Sequence, residues 1–162
     1  FRITFLLISF FNLILLGILT RGVHISNRIV EILNQLYSVN IKSSTLDPKY
    51  YRDDVNYTNQ ETSKFSKISE DLENKVVILV DDVLFTGRTT RACLNAIVDF
   101  GRPKAVKLAV LIDRGHRELP IRPDFIGKNI PTSREEIVKV FLEEEDSKDE
   151  VVIINQIKRL GK

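Results

Sequence analysis

A chain of 162 residues, 43% of them hydrophobic, is long enough for one core and too short for two independent ones. Its 24 Lys and Arg against 22 Asp and Glu leave a formal charge of +2, which excludes recognition of nucleic acid by bulk charge and requires any basic site to be a local patch. The one cysteine, Cys93, excludes an internal disulfide framework and points to a reducing compartment, the cytoplasm.

In chain order, the first feature is the apolar run FLLISFFNLILLGIL, residues 5–19, long enough to suggest a membrane helix or signal peptide. Ser9, Asn12 and Gly17 interrupt it, only Arg2 precedes it and no small-residue cleavage site follows. The reading adopted is a short helix or turn, then a buried strand over residues 12–17, with no membrane partner. Residues 1–12 are atypical, and a first residue Phe1 suggests a processed, truncated or altered form of something longer. A helix is predicted over residues 24–37, with Ile25, Ile29, Ile32, Leu33 and Leu36 on one face. Residues 47–73 are polar and aperiodic, which predicts a long mobile loop suited to covering an active site. KVVILV (75–80) and VKLAVLI (106–112) are nearly continuous apolar runs, as central strands covered on both faces should be. Between them a helix over 89–100 places Ala92, Cys93, Ala96 and Ile97 inward, with Gly101 and Pro103 as its stop. Residues 114–134 read as an irregular basic excursion, and VVII (151–154) as a last strand. The alternation predicts an α/β fold with a mostly parallel central sheet flanked by helices, in a single domain over 1–162.

The chemistry concentrates in VVILVDDVLFTGRTTR, residues 76–91. Asp81 and Asp82 stand at the carboxyl end of a buried strand, where open α/β sheets bind their ligands. Thr86, Gly87, Arg88, Thr89 and Thr90 then offer hydroxyls, backbone N–H groups and a helix N-terminus, which suit a phosphate dianion. Two acids beside an anion site imply a ligand carrying hydroxyls and phosphate together, and a ribose 5-phosphate has both. A Walker loop and a dinucleotide fingerprint are excluded, since GxxxxGK[ST] is absent and Gly87 stands alone. Metal chelation by the two carboxylates, or an acidic strand end that merely caps the next helix, stays open at this point.

Two acids, a few apolar residues, Thr-Gly and a hydroxyl-rich turn resemble the signature of type I phosphoribosyltransferases. Residues 80–133, including DRGHRELPIR and IGKNIPTS, are similar almost without interruption to the PyrR family, whose members attenuate pyrimidine operons and form UMP. LGILTRGVHIS (16–26) and YRDDV (51–55) match the family's other landmarks. The resemblance implies the type I phosphoribosyltransferase fold with a mobile loop and a small hood, and binding of phosphoribosyl diphosphate together with Mg2+. It implies that Thr20, Arg21 and Gly22 hold the diphosphate, and that Asp81, Asp82, Val83, Leu84, Phe85, Thr86, Gly87, Arg88 and Thr89 hold the rest of the donor. Asp81, Asp82 and Arg52 become the catalytic set, and Arg114 and Val138 border uracil, the latter through its backbone; read without the family, Val138 is core. No residue is assigned as a dedicated metal ligand. Purine-specific relatives carry an aspartate where Phe85 stands, so a purine is disfavoured.

The implied reaction is uracil plus phosphoribosyl diphosphate giving UMP and diphosphate. The resemblance also implies a leader mRNA stem-loop as partner, bound through His116, Arg117, Arg122 and Lys128 when UMP fills the site, and a homodimer or higher homo-oligomer. A UMP-sensing RNA binder with little or no transferase activity is the alternative. The apolar FRITFLLISFFN stands where the family has a basic helix, so RNA affinity is expected to be weakened.

Overall fold

The computed structural model describes residues 12–51, 68 and 70–155. They form β1 (Leu13–Ile18), α1 (Arg21–Tyr37), β2 (Lys42–Leu46), β3 (Val76–Leu84), α2 (Arg88–Ile97), β4 (Ala105–Asp113), β5 (Phe125–Asn129), β6 (Glu136–Phe141), α3 (Glu143–Asp146) and β7 (Glu150–Asn155). Five strands make a parallel sheet in the order β2-β1-β3-β4-β5. Apolar continuity put β3 and β4 near the centre, and β3 is the middle strand.

Both sheet faces are covered, which is why the strands lack an alternating polar set. Leu13 and Leu15 of β1, with Ile78 and Val80 of β3, meet Ile25, Ile29, Val30 and Leu33 of α1. Ile14 and Leu16, with Leu79 and Leu108, face the other way onto Cys93, Ala96 and Ile97 of α2. The period-2 alternation of a strand therefore feeds two cores from one run. Cys93 is fully buried, as its helical position predicts.

Three expectations needed correction. Ile32 and Leu36 are 54% and 69% exposed, because the inner face of α1 is centred on the small buried residues Gly22 and Ser26, which counting apolar side chains overlooks. The excursion over 114–134 contains β5, which extends the sheet edge beside β4. The VVII strand does not join the parallel sheet; as β7 it pairs antiparallel with β6 in a separate two-stranded unit. Of the expected loop over 47–73, only 47–51, 68 and 70–73 are described. Its first turn is tied to α2's end by a hydrogen bond from the Tyr51 phenol to Asp99, which pushes the phenol's pKa up to about 12. Among the described residues no helix is long and apolar enough to cross a membrane.

The β6–β7 hairpin forms a small hood over the carboxyl ends of the central strands. Val138, Val140 and Leu142 pack with Ile112, Ile25 and Val83, which anchors it through apolar contact. Its turn is then zipped to one face of α1: Arg21 to Asp146 at 2.9 Å, His24 to Glu145 at 2.8 Å, and Arg28 to Glu144 at 2.6 Å and Asp149 at 2.8 Å. Hydrogen bonds from Arg28 hold the Glu144 and Asp149 carboxyls below the usual range, and the Leu142 N–H followed by Arg21 does so for Asp146. Carboxyls with depressed folded pKa values add stability above their unfolded values, and that stability is lost as pH falls through the folded ones. Thermal stability should therefore drop below about pH 4. In an Arg28→Ala variant that drop should be shallower, which melting curves across the acid range would reveal.

Candidate functional site

The connection from β1 leads outward to β2, and that from β3 leads the opposite way to β4, so the chain order reverses between β1 and β3. Such a switch point opens a crevice at the strands' carboxyl ends. Pairing of β1 with β3 stops at Gly17 opposite Val80, while β3 runs on to Leu84, still paired with β4 opposite Asp113. Asp81 and Asp82 therefore stand just beyond the last β1–β3 pair.

The other wall of the crevice leaves β1 through Leu19, a cis peptide to Thr20, and then Arg21 and Gly22 of α1. Thr20 is exposed, Arg21 half-buried and Gly22 buried. A Cβ on Gly22 would lie 2.3 Å from the Val80 carbonyl oxygen and 3.3 Å from the Asp81 Cα. Only glycine lets the start of α1 approach β3 this closely, and the approach sets residues 20–22 beside the carboxylates.

Asp81 is 9% exposed and its Oδ1 accepts the Asp82 N–H at 2.9 Å. Asp82 is half-buried; its Oδ1 accepts the Val83 N–H at 2.8 Å, and its other oxygen has no partner among the described residues. Successive strand residues face opposite ways, and accordingly the two acids line different clefts. Asp81 borders a cleft of about 370 Å³ with Thr86, Gly87, Arg88, Thr89 and Thr90. Asp82 borders one of about 310 Å³ with Arg21, Val138 and Lys139.

The first cleft sets hydroxyls and a helix N-terminus beside two acids, Asp81 and Glu118. Gly87 adopts φ 92°, which turns the chain sharply into α2, and the Thr86 hydroxyl accepts the Arg88 N–H at 3.3 Å. No acidic side chain occupies the first turn of α2, although Glu118, paired with Arg88 at 2.9 Å, also lines the cleft. Thr90 is 3% exposed, and its hydroxyl oxygen has no hydrogen-bond partner among the described residues. A buried hydroxyl left unpaired beside a cleft is open to an acceptor or a water.

This turn is braced from behind. Glu118 and Leu119 donate backbone N–H groups to the Thr86 carbonyl at 3.0 and 3.2 Å. Arg117 donates to the Phe85 carbonyl at 2.9 Å, the Ile121 carbonyl at 3.0 Å and the Asp113 carboxylate at 2.5 Å. His116 contacts the Thr132 carbonyl at 2.5 Å through Nε2 and meets Phe85 edge-on. The four basic residues singled out in the excursion thus separate into two kinds. His116 and Arg117 are turned inward to support the turn, whereas Arg122 and Lys128 are exposed and lack partners among the described residues.

Arg114 is 6% exposed, with its guanidinium 4.1 Å over the Phe85 ring. Its donors go to Thr132 at 3.0 Å, the Ser133 carbonyl at 2.9 Å and the Glu136 carbonyl at 2.6 Å, and burial lowers its pKa. It is not among the residues lining either cleft and acts here as a brace between β4 and the hood. Val138 is both core, at 8% exposure, and part of the cleft wall. Lys139, which sequence reasoning missed, lines the same cleft; its only signal was its place next to Val138. Arg52 lies outside the described residues.

Comparison with known proteins gives three kinds of likeness. The family model for the phosphoribosyl transferase domain matches residues 5–148. The chain is 54% identical over 145 residues to the bifunctional protein PyrR of Limosilactobacillus reuteri, covering 88% of this chain and 82% of the relative. It is 52% identical over 149 residues to the PyrR of Caldicellulosiruptor bescii, covering 91% and 81%. Among solved structures, the hypoxanthine phosphoribosyltransferase of Trypanosoma cruzi in complex with the product IMP superposes with a TM-score of 0.64 at 17% identity, over 90% of this chain and 72% of that one. The Staphylococcus aureus hypoxanthine enzyme gives 0.54 at 21%, over 75% and 64%. At these identities the structural likeness speaks for the fold alone.

Proposed function

From the premise that this chain belongs to the phosphoribosyl transferase domain family, with the type I fold, and within it to the PyrR family, we propose that it forms UMP and diphosphate from uracil and phosphoribosyl diphosphate. The observation that carries the reading is the unpartnered Thr90 hydroxyl in an anion-shaped turn, one wall away from two carboxylates. The turn over 86–90 takes the 5-phosphate, and Asp81 and Asp82 accept hydrogen bonds from the ribose hydroxyls. Arg21 holds the diphosphate, with Arg52 as a second cation against it. Uracil lies toward Val138, where backbone groups of β6 can read its edge.

The transition state of such a transfer carries positive charge on the ribose ring, so no covalent nucleophile is needed and the protein acts by placing charge. Carboxylates beside the ring favour that charge, and the guanidinium of Arg21 favours the departing diphosphate. Among the described residues no group of three or more His, Cys, Asp or Glu forms a metal cage. Asp81 and Asp82 beside a diphosphate fit magnesium carried in largely by the donor, as this ion prefers one or two carboxylates plus substrate phosphates. When bound, magnesium supplies charge neutralisation on the leaving group.

The second half of the proposal is regulatory: UMP in this site favours binding of a leader mRNA stem-loop, in the cytoplasm and by a homo-oligomer of single-domain chains. Exposed Arg122 and Lys128 support it as phosphate-contacting groups, while His116 and Arg117 act by holding that surface to the nucleotide turn. A UMP-sensing binder without turnover is separated from this by one assay. Purified protein is supplied with phosphoribosyl diphosphate, magnesium and labelled uracil or hypoxanthine. UMP without IMP is expected, because Phe85 provides no acceptor for a purine ring. Folded protein that forms neither would remove the transferase and leave the sensor.

A further inference from the structure

Arg21 is the cation of the diphosphate loop, yet a long side chain on a helix start would ordinarily sample many rotamers. Here it does not. Its Nη2 donates to both carboxylate oxygens of Asp146, at 2.9 and 3.0 Å, across 125 residues of chain. Asp146 is itself fixed, since its Oδ2 accepts the Leu142 N–H at 2.9 Å and its own N–H donates to the Leu142 carbonyl at 2.7 Å. The turn that carries it is tied to α1 a second time through Arg28. Meanwhile the Arg21 Nε is buried and has no partner among the described residues, and the residue lines the cleft shared with Asp82. One end of the guanidinium is occupied and the other is left as an unused donor.

We propose that Asp146 is a positioning residue for diphosphate: it clamps Arg21 Nη2 so that the remaining guanidinium donors are held, already oriented, toward the Asp82 cleft. This rests on the reading of that cleft as a phosphoribosyl diphosphate site. Two opposing effects decide its sign. A second anion near the ligand repels it, but Asp146 is already paired with Arg21 and the Leu142 N–H, which offsets its charge. Freeing Arg21 would restore rotamer entropy that binding must then remove again. Preorganisation outweighs repulsion, so Asp146 strengthens diphosphate binding although both are anions.

The test is equilibrium binding of inorganic diphosphate with magnesium, and separately of UMP, to the full chain and to Asp146→Ala, Asp146→Glu and Arg28→Ala. Asp146→Ala should weaken diphosphate about tenfold, the scale of one charge-assisted bond, and leave UMP within about twofold. Asp146→Glu should recover most of the loss, and Arg28→Ala, which cuts the neighbouring hood contacts to Glu144 and Asp149 but leaves the Arg21–Asp146 pair, should change neither ligand. In turnover, Asp146→Ala should raise KM for phosphoribosyl diphosphate more than KM for uracil. Unchanged or tighter diphosphate binding by Asp146→Ala overturns the proposal, as does equal weakening of UMP or the same loss in Arg28→Ala. Wild-type protein that binds neither ligand would instead remove the phosphoribosyl site itself, and this assignment with it.

Discussion

UMP formation should fall by at least about 10³-fold when Asp81 and Asp82 are both replaced by Asn, with melting temperature little changed. One preorganised electrostatic group is commonly worth about 10²–10³ in rate, and two that act on the same developing charge do not simply multiply. The fold should tolerate the change because the asparagine side-chain oxygen can still accept the Asp82 and Val83 N–H bonds that the carboxylates now take. Single-turnover formation of labelled UMP, read beside circular dichroism, checks both halves. A folded double variant retaining more than about a tenth of wild-type rate would show that these carboxylates do not act on the ribose.

Gly22→Ala should severely damage the scaffold. The added Cβ would stand 2.3 Å from the Val80 carbonyl oxygen, and both partners are backbone, so no side chain can swing away. Relief requires α1 to lift from β3, against the packing of Ile25, Ile29 and Leu33 on the sheet. A loss of about 3 kcal/mol or more in urea unfolding is expected, at the upper end of overpacking effects. Protein that still folds should have lost activity by about 10²-fold, because residues 20–22 would sit farther from Asp81. Gly115→Ala is the informative comparison: its φ is +82° but nothing lies within 4 Å of the new methyl group. That variant should lose only about 1–2 kcal/mol, the cost of a left-handed conformation for a residue with a Cβ. Gly22 has ordinary helical backbone, so equal losses in the two would mean that the close approach costs no more than a left-handed conformation does at Gly115.

The inward roles of His116, Arg117 and Arg114 bear on how basic residues are interpreted. All three lie in a stretch whose composition suggests a solvent-facing cationic surface, yet their donors are spent on the carbonyls of Phe85, Ile121, Thr132, Ser133 and Glu136. A loop that leaves the sheet and returns has many unpaired carbonyls, and arginine, with five donors in a fixed fork, can satisfy several at once. The exposed Arg122 and Lys128 remain available for a partner.

Sequence by itself determined the parts of this protein whose causes are local. The apolar runs of β1, β3 and β4, the inward Ala92, Cys93, Ala96 and Ile97 of α2, and the acid pair followed by Thr86-Gly87 were legible because strand period, helix period and turn chemistry act over a few residues. Tertiary structure alone decided the rest. It set the buried face of α1 on Gly22 and Ser26, sent β7 to the hood, placed Asp81 and Asp82 in different clefts, and brought Asp146 to Arg21. Each of these depends on which distant segments pack together, and long-range packing and ion pairing leave no periodic trace in either partner's own stretch of chain.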